Sequence, residues 1–172
     1  MNIYFACGLT HVPRDRFHGY VAFIHRVVEN LSSEHGVFVR YALRDSDPQL
    51  ANKPIEDRAR FCYQWDREMV EWADVLIADA TYPSTGLGIE LQIAEGRNIP
   101  IVLCFNRDGF NRAEPIDYET PDHLKHSLQL GQGYITLMAL GLPGLYKVIP
   151  YSSDDEVYSR LTGVIGLLGN KR

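Results

Sequence analysis

The feature that most limits the folds open to this chain is the stretch from Tyr63 to Phe105. In it a helical run, an apolar run (Val75 to Ala80), a glycine-rich turn, a second helical run opening near Gly88 and another apolar run (Ile101 to Phe105) follow one another. Apolar runs this short, separated by helical patterns, predict parallel strands covered on both faces. In such a sheet the turn after a strand lies beyond its carboxyl end, where open α/β folds bind ligands. The carboxylates of Asp66 and Glu90 and the hydroxyl of Ser84 can meet there.

The remaining segments fit the same scheme. Asn2 to Cys7 reads as a first buried strand ending at Gly8, and the loop Gly8 to Pro13 should open on the ligand edge. Pro13 can start a helix that carries Phe17, Val21, Ile24, Val27, Val28 and Leu31 as one core-facing stripe. HGVFVRYAL supplies a second strand, and the polar run from Arg44 to Arg58, with Pro48 and Pro54, reads as a surface loop able to act as a lid. A helix beginning near Ala59 carries Cys62, Trp65, Met69, Trp72 and Ala73 on roughly one stripe, expected to be core, with Asp66 to its side.

After the central stretch comes a polar excursion, residues 108–144, with helix expected from about Asp122, since a structureless loop of that length is unusual. Tyr146 to Pro150 should form the last strand, and Ser153 to Leu168 a closing helix whose Asp154, Asp155 and Glu156 complement the dipole. This alternation predicts an α/β fold: a flavodoxin/Rossmann-like three-layer α/β/α sandwich with a five-stranded parallel sheet, its first and third strands flanking the switch point. At 172 residues the chain suits a single domain, 1–172.

Charge narrows the choice of partner. The net charge of −5, with no Lys/Arg run, argues against nucleic acid and membrane surfaces, which need a concentrated basic patch, and favours a small ligand. No charged segment followed by an apolar one opens the chain, and no apolar run is long enough to span a bilayer, so a soluble, cytoplasmic protein is expected. Cys7, Cys62 and Cys104 lack metal-ligand spacing and are expected as reduced thiols. Neither a disulfide nor a zinc site is expected.

The chemistry concentrates in PSTGLGIE, Pro83 to Glu90. Gly86 and Gly88 let backbone approach a ligand, the helix start offers free N–H groups to an anion, and Ser84 adds a hydroxyl donor. The same glycines also fit a plain tight turn. Glu90, one turn into the helix, is expected to be ionised by the dipole and to face the crevice, which suits a nucleophile for a sugar carbon. Asp66 can supply the acid for a leaving base if its pKa is raised; the alternative is a solvated helix acid paired with Arg67. Asp79 at the end of its strand and Tyr4 on the first strand can also reach this edge, and His11 is the one histidine in the ligand-edge loop.

These residues carry a resemblance. The run through Asp66, Ala73, Asp74, Val75, Ala78, Asp79, Pro83, Ser84, Gly86, Gly88 and Glu90 is similar to the nucleoside 2-deoxyribosyltransferase superfamily, and within it to the 2'-deoxynucleoside 5'-monophosphate N-glycosidases. YFACG on the first strand and YKVIPYSSDDEV near the C-terminus add to it. The resemblance implies double displacement at the anomeric carbon: the Glu matching Glu90 attacks C1', the Asp matching Asp66 assists departure of the base, and the Tyr matching Tyr4 positions sugar and nucleophile. It also implies a homodimer or larger homo-oligomer and no cofactor. Transferases that take unphosphorylated nucleosides carry an acid where Ser84 stands, and a phosphate would be repelled there. Serine therefore favours the hydrolase over base exchange, and a nucleotide-binding module without turnover is the reading from another class. Where the monophosphate branch has a serine contributed by the neighbouring subunit, this chain has GLPGLY with Gly144. In its first loop GLTHVPRD stands in place of the branch's Ser- and Gly-rich run, with Thr10 or Arg14 as the candidates to bind phosphate there instead.

Overall fold

The computed structural model describes residues 1–169. In chain order the elements are β1 (Asn2–Cys7), α1 (Arg14–Ser32), β2 (Phe38–Arg40), α2 (Ala42–Asp45), α3 (Asp47–Leu50), α4 (Ile55–Trp72), β3 (Val75–Asp79) and α5 (Thr85–Gly96). Then follow β4 (Ile101–Asn106), β5 (Asp117–Glu119), β6 (Lys125–Ser127), α6 (Leu137–Leu140), β7 (Leu145–Tyr151) and α7 (Asp154–Gly169). Five strands form one sheet in the order β2-β1-β3-β4-β7, every neighbouring pair parallel. The loops leaving β1 and β3 therefore lie side by side at the switch point, as expected.

The central strands are apolar without a break because both faces are covered. On one face Ile3, Phe5, Val75, Ile77, Val102 and Cys104 meet the stripe of α1 and the buried side of α7. On the other face Tyr4, Ala6, Leu76, Ala78, Ile101 and Leu103 meet Met69 and Val70 of α4 and Leu87, Leu91 and Ala94 of α5. Each fully buried aliphatic or aromatic side chain contributes roughly 1.5–3 kcal/mol. Helix α1 starts behind Pro13 and buries Tyr20, Phe23, Ile24, Val27, Val28 and Leu31. Among the described residues no helix is long and apolar enough to cross a membrane.

Four sequence expectations about these elements are corrected. The second strand is confined to Phe38–Arg40, because Tyr41 turns the chain into α2. The segment 44–58 is not a plain loop: it holds two one-turn helices and the start of α4, which Pro54 opens at Ile55, with Glu56 and Asp57 in the first turn. The excursion has no helix from Asp122. Residues on both sides of a Thr120–His123 turn pair as the antiparallel ribbon β5–β6, with Glu119 opposite Lys125, and the only helix there is the single turn α6. That run presents no apolar helical stripe, and Gly131 and Gly133 both take positive φ, so a two-stranded pattern wins over helix. The α4 stripe divides as well: Met69 and Ala73 are buried, whereas Trp65 and Trp72 are half-buried, Trp72 carrying the Arg40 guanidinium 4.4 Å above its ring.

Candidate active site

Tyr4 points from β1 towards the helical layer formed by α4 and α5, and its hydroxyl donates to Glu90 Oε1 at 2.5 Å. Both are buried, Tyr4 at 1% and Glu90 at 9% exposure. Asp66, half-buried on α4, accepts from Ser46 Oγ at 2.7 Å and from the Cys62 thiol at 3.4 Å. Arg67, the partner a solvated Asp66 would have used, bonds Tyr63 and Glu71 instead.

Electrostatics join the three groups into one cluster. Burial pushes Glu90 up to about 8, and the charge of Asp66 adds to that rise, while the bond from Tyr4 opposes it. The Tyr4 phenol is held well above its ordinary value by burial first and then by the charges of Glu90 and Asp66. Asp66 is raised by burial and by Asp47, against the bonds from Ser46 and Cys62. The expectation that the helix dipole keeps Glu90 ionised is thus corrected. A dipole contributes only about 0.3–1 kcal/mol near a surface, and removing a carboxylate from water costs more.

Ser84 is the N-cap of α5: its hydroxyl accepts from the amide of Leu87 at 3.2 Å. Its carbonyl accepts from Gly88, so the Gly88 amide belongs to the helix, and Thr85 and Gly86 carry the amides at its open end. Gly86 and Gly88 are exposed and adopt helical backbone, and a Cβ at residue 88 would meet nothing within 4 Å. Gly8 differs. A Cβ there would come within 2.6 Å of Ser84 Cβ and 3.0 Å of the Tyr82 carbonyl, so glycine is what lets the loop after β1 close against the α5 turn. Gly8→Ala is expected to lower stability by roughly 1–3 kcal/mol through overpacking; an unchanged thermal midpoint would mean that the two loops can part without cost.

Asp79 is enclosed within the protein. It is 0% exposed, and its carboxylate accepts from Tyr20 Oη at 2.8 Å, Tyr151 Oη at 2.7 Å and the Thr81 amide at 3.2 Å. This corrects its expected place at the ligand edge: at the last position of a strand buried on both faces, its side chain turns into the sheet's other layer and ties α1 and β7 to β3. Thr10, His11 and Arg14 are exposed around the first loop. Gly144 stands where β7 begins, at the opposite end of the sheet from the acids, and its amide donates to Glu95. Beside Ser84 opens a cavity of about 450 Å³, lined by Tyr82, Leu87 and Gly88 and, from the excursion, by Leu130, Tyr134 and Leu137. Ser46 and Cys62 were missed from sequence. A serine before Asp-Pro reads as a helix cap, and nothing local links it to a helix twenty residues on.

A parallel five-stranded sheet in this order defines the flavodoxin-like class of α/β proteins, here with two acids and a tyrosine near the β1/β3 switch point. Within that class the chain belongs to the nucleotide N-hydrolase family: it is 30% identical over 105 residues to the 5-hydroxymethyl-dUMP N-hydrolase of Esox lucius, a match covering 61% of this chain and 69% of that relative. Three further curated relatives are matched over less than half of their own length. The fold is similar to that of the Clostridium botulinum CMP N-glycosidase BcmB, with a TM-score of 0.56 at 16% identity over 94% of this chain and 98% of that one. A conserved protein from Enterococcus faecalis V583 is alike to the same degree, with a TM-score of 0.56 at 17% identity over 94% and 97% of the two chains. No family model matches the sequence.

Proposed function

We propose that this enzyme hydrolyses the N-glycosidic bond of 2'-deoxynucleoside 5'-monophosphates to free base and deoxyribose 5-phosphate, with Glu90 as nucleophile. The observation that carries the reading is the buried Tyr4–Glu90 bond in one electrostatic cluster with Asp66. Glu90 Oε attacks C1' as the C1'–N bond breaks, and the departing base takes a proton from Asp66. Water then attacks C1' of the glycosyl ester, returns a proton to Asp66 and frees the Glu90 carboxylate. Both acids are raised, so over a range of pH the pair holds one proton between them; the reactive form has that proton on Asp66. Tyr4 donates to Glu90 and fixes the direction of attack. No step requires a metal or cofactor.

The 5'-phosphate is assigned to the open end of α5, at the Ser84 hydroxyl and the amides of Thr85 and Gly86. The glycine at 88 supports this reading, since helix-interior glycine costs about 1 kcal/mol and no neighbouring atom demands it. The reduced thiols fit a cytoplasmic setting. A homodimer is favoured by the exposed apolar side chains of the excursion, among them Ile116, Tyr118, Leu128 and Met138.

The test is incubation with deoxynucleoside monophosphates, and separately with deoxynucleosides plus a free base, followed by chromatography. Free base with deoxyribose 5-phosphate is expected; exchanged nucleoside, or binding without either product, would overturn the hydrolase reading. Ser84→Asp should lower kcat/KM for monophosphates by about tenfold or more through like-charge repulsion. Aspartate caps a helix as well as serine does, so the fold is spared. Unchanged monophosphate kinetics in this variant would remove the phosphate from that turn.

A further inference from the structure

Among the described residues, tyrosines and cysteine aside, four polar side chains are buried: Ser46, Asp79, Thr81 and Glu90. Asp79 and Thr81 bond one another and Tyr151 inside the sheet, and Glu90 bonds Tyr4. Ser46, 1% exposed, is the one whose position is costly for its own segment. It stands at the N-cap of α3, ahead of Asp47 and Pro48, where a serine hydroxyl ordinarily accepts from the helix's first amides. It makes no such bond. Its hydroxyl turns away from α3 and donates to Asp66 Oδ1 at 2.7 Å.

The backbone behind that hydroxyl is well held. The Ser46 carbonyl accepts from the amides of Gln49 and Leu50 at 3.1 and 3.2 Å. The Gln49 side chain donates to the Arg44 carbonyl at 3.0 Å, and Arg44 donates to the Val39 carbonyl at 2.6 Å, which fastens the segment to β2. On the other oxygen of Asp66 the Cys62 thiol donates at 3.4 Å from one turn earlier on α4. Burial pushes that thiol up to about 11, so it keeps its proton at neutral pH. Each carboxyl oxygen thus has one donor, and a second lone pair on each is left over.

We propose that Ser46 is a positioning residue: its hydroxyl, opposed by the Cys62 thiol, fixes the plane of the Asp66 carboxyl so that the uncommitted edge faces the leaving base. The inference rests on the reading of Asp66 as the acid. It adds that the segment between β2 and α4 sets the aim of that acid. The charged and titratable groups around Asp66 are Asp47 on α3, Cys62 on α4, Tyr4 and Cys7 on β1 and Glu90 on α5.

The test uses the full chain and two substrates: a pyrimidine deoxynucleoside monophosphate, and deoxyribose 5-phosphate carrying 4-nitrophenoxide at C1, a group that leaves as an anion without a proton. Ser46→Ala should lower kcat on the first by on the order of 10- to 100-fold, the range that misaimed groups cost, with KM little changed. On the second its kcat should stay within about twofold of the parent, since no proton is needed there. In an Asp66→Asn background the same change should have no further effect. Ser46→Cys, which keeps volume and a weak donor, should give an intermediate loss and carries the test if the alanine variant does not fold. Equal losses on both substrates, or a further loss in the Asp66→Asn background, would overturn the proposal and make Ser46 merely structural. If Asp66→Asn itself turns over the monophosphate normally, it is the underlying reading of the acid that fails; if Asp66→Asn is impaired and Ser46→Ala is not, only the role of Ser46 falls.

Discussion

Glu90→Gln is expected to lose turnover by several orders of magnitude while becoming more stable than the parent in alkaline solution. The first effect follows from removing the group that bonds C1', since an amide oxygen is a far poorer nucleophile. The second follows from burial. In the unfolded chain Glu90 ionises near its ordinary 4.5, whereas the folded chain holds its proton up to about 8. The folded state therefore binds more protons between those values. The stability this gives is complete below 4.5 and is lost as pH rises through about 8, at roughly 1.4 kcal/mol per pH unit. Glutamine resembles the protonated carboxyl, still accepts from Tyr4 and has nothing to ionise. Denaturant midpoints at pH 5 and pH 9 should accordingly be similar for the two proteins at the lower pH and favour the variant at the higher one. Asp79, also raised, adds the same slope to both proteins and cancels in the comparison. Near-parental turnover would remove Glu90 as nucleophile; a variant no more stable at pH 9 would mean that its site is wetter than the packing around Tyr4 implies.

The sheet was legible because its strands are buried on both faces, which leaves uninterrupted apolar runs such as VLIA and IVLCF, too short for a buried helix and suited to a covered parallel strand. Asp66, Ser84 and Glu90 were legible for a related reason: each stands at a fixed distance along the chain from the end of such a run. What depends on distant packing was not legible. The helix dipole at Glu90 is a local property and can be read from spacing, but the desolvation that outweighs it comes from Tyr4 and the layer around it. Asp79 looks like an edge acid until Tyr20 and Tyr151, contributed by a helix and a strand far along the chain, are seen to enclose it. Ser46 reads as a cap because capping is the local use of serine, and its contact with Asp66 exists only once α3 lies against α4. The ribbon β5–β6 was missed because its residues are all exposed, so no burial period distinguishes strand from helix there.

Asp66→Asn should separate the two acids by what the leaving group needs. With an ordinary base the departing nitrogen must be protonated as its bond to C1' breaks, and loss of a general acid costs about 10²- to 10⁴-fold. With deoxyribose 5-phosphate bearing 4-nitrophenoxide the departing oxygen carries the charge unaided, so Asp66→Asn should recover most of its turnover. Glu90→Gln should stay inactive on both substrates, because attack at C1' is required in either case. The amide at 66 fits its surroundings: its carbonyl can accept from Ser46 while its NH₂ faces the Cys62 sulfur, a weak acceptor, so the fold is expected to persist. Were Asp66→Asn as impaired on the activated substrate as on the natural one, Asp66 would be holding the sugar and not protonating the base. Were Glu90→Gln the variant rescued, the two carboxyls would exchange roles, and the nucleophile would lie on α4 instead of α5.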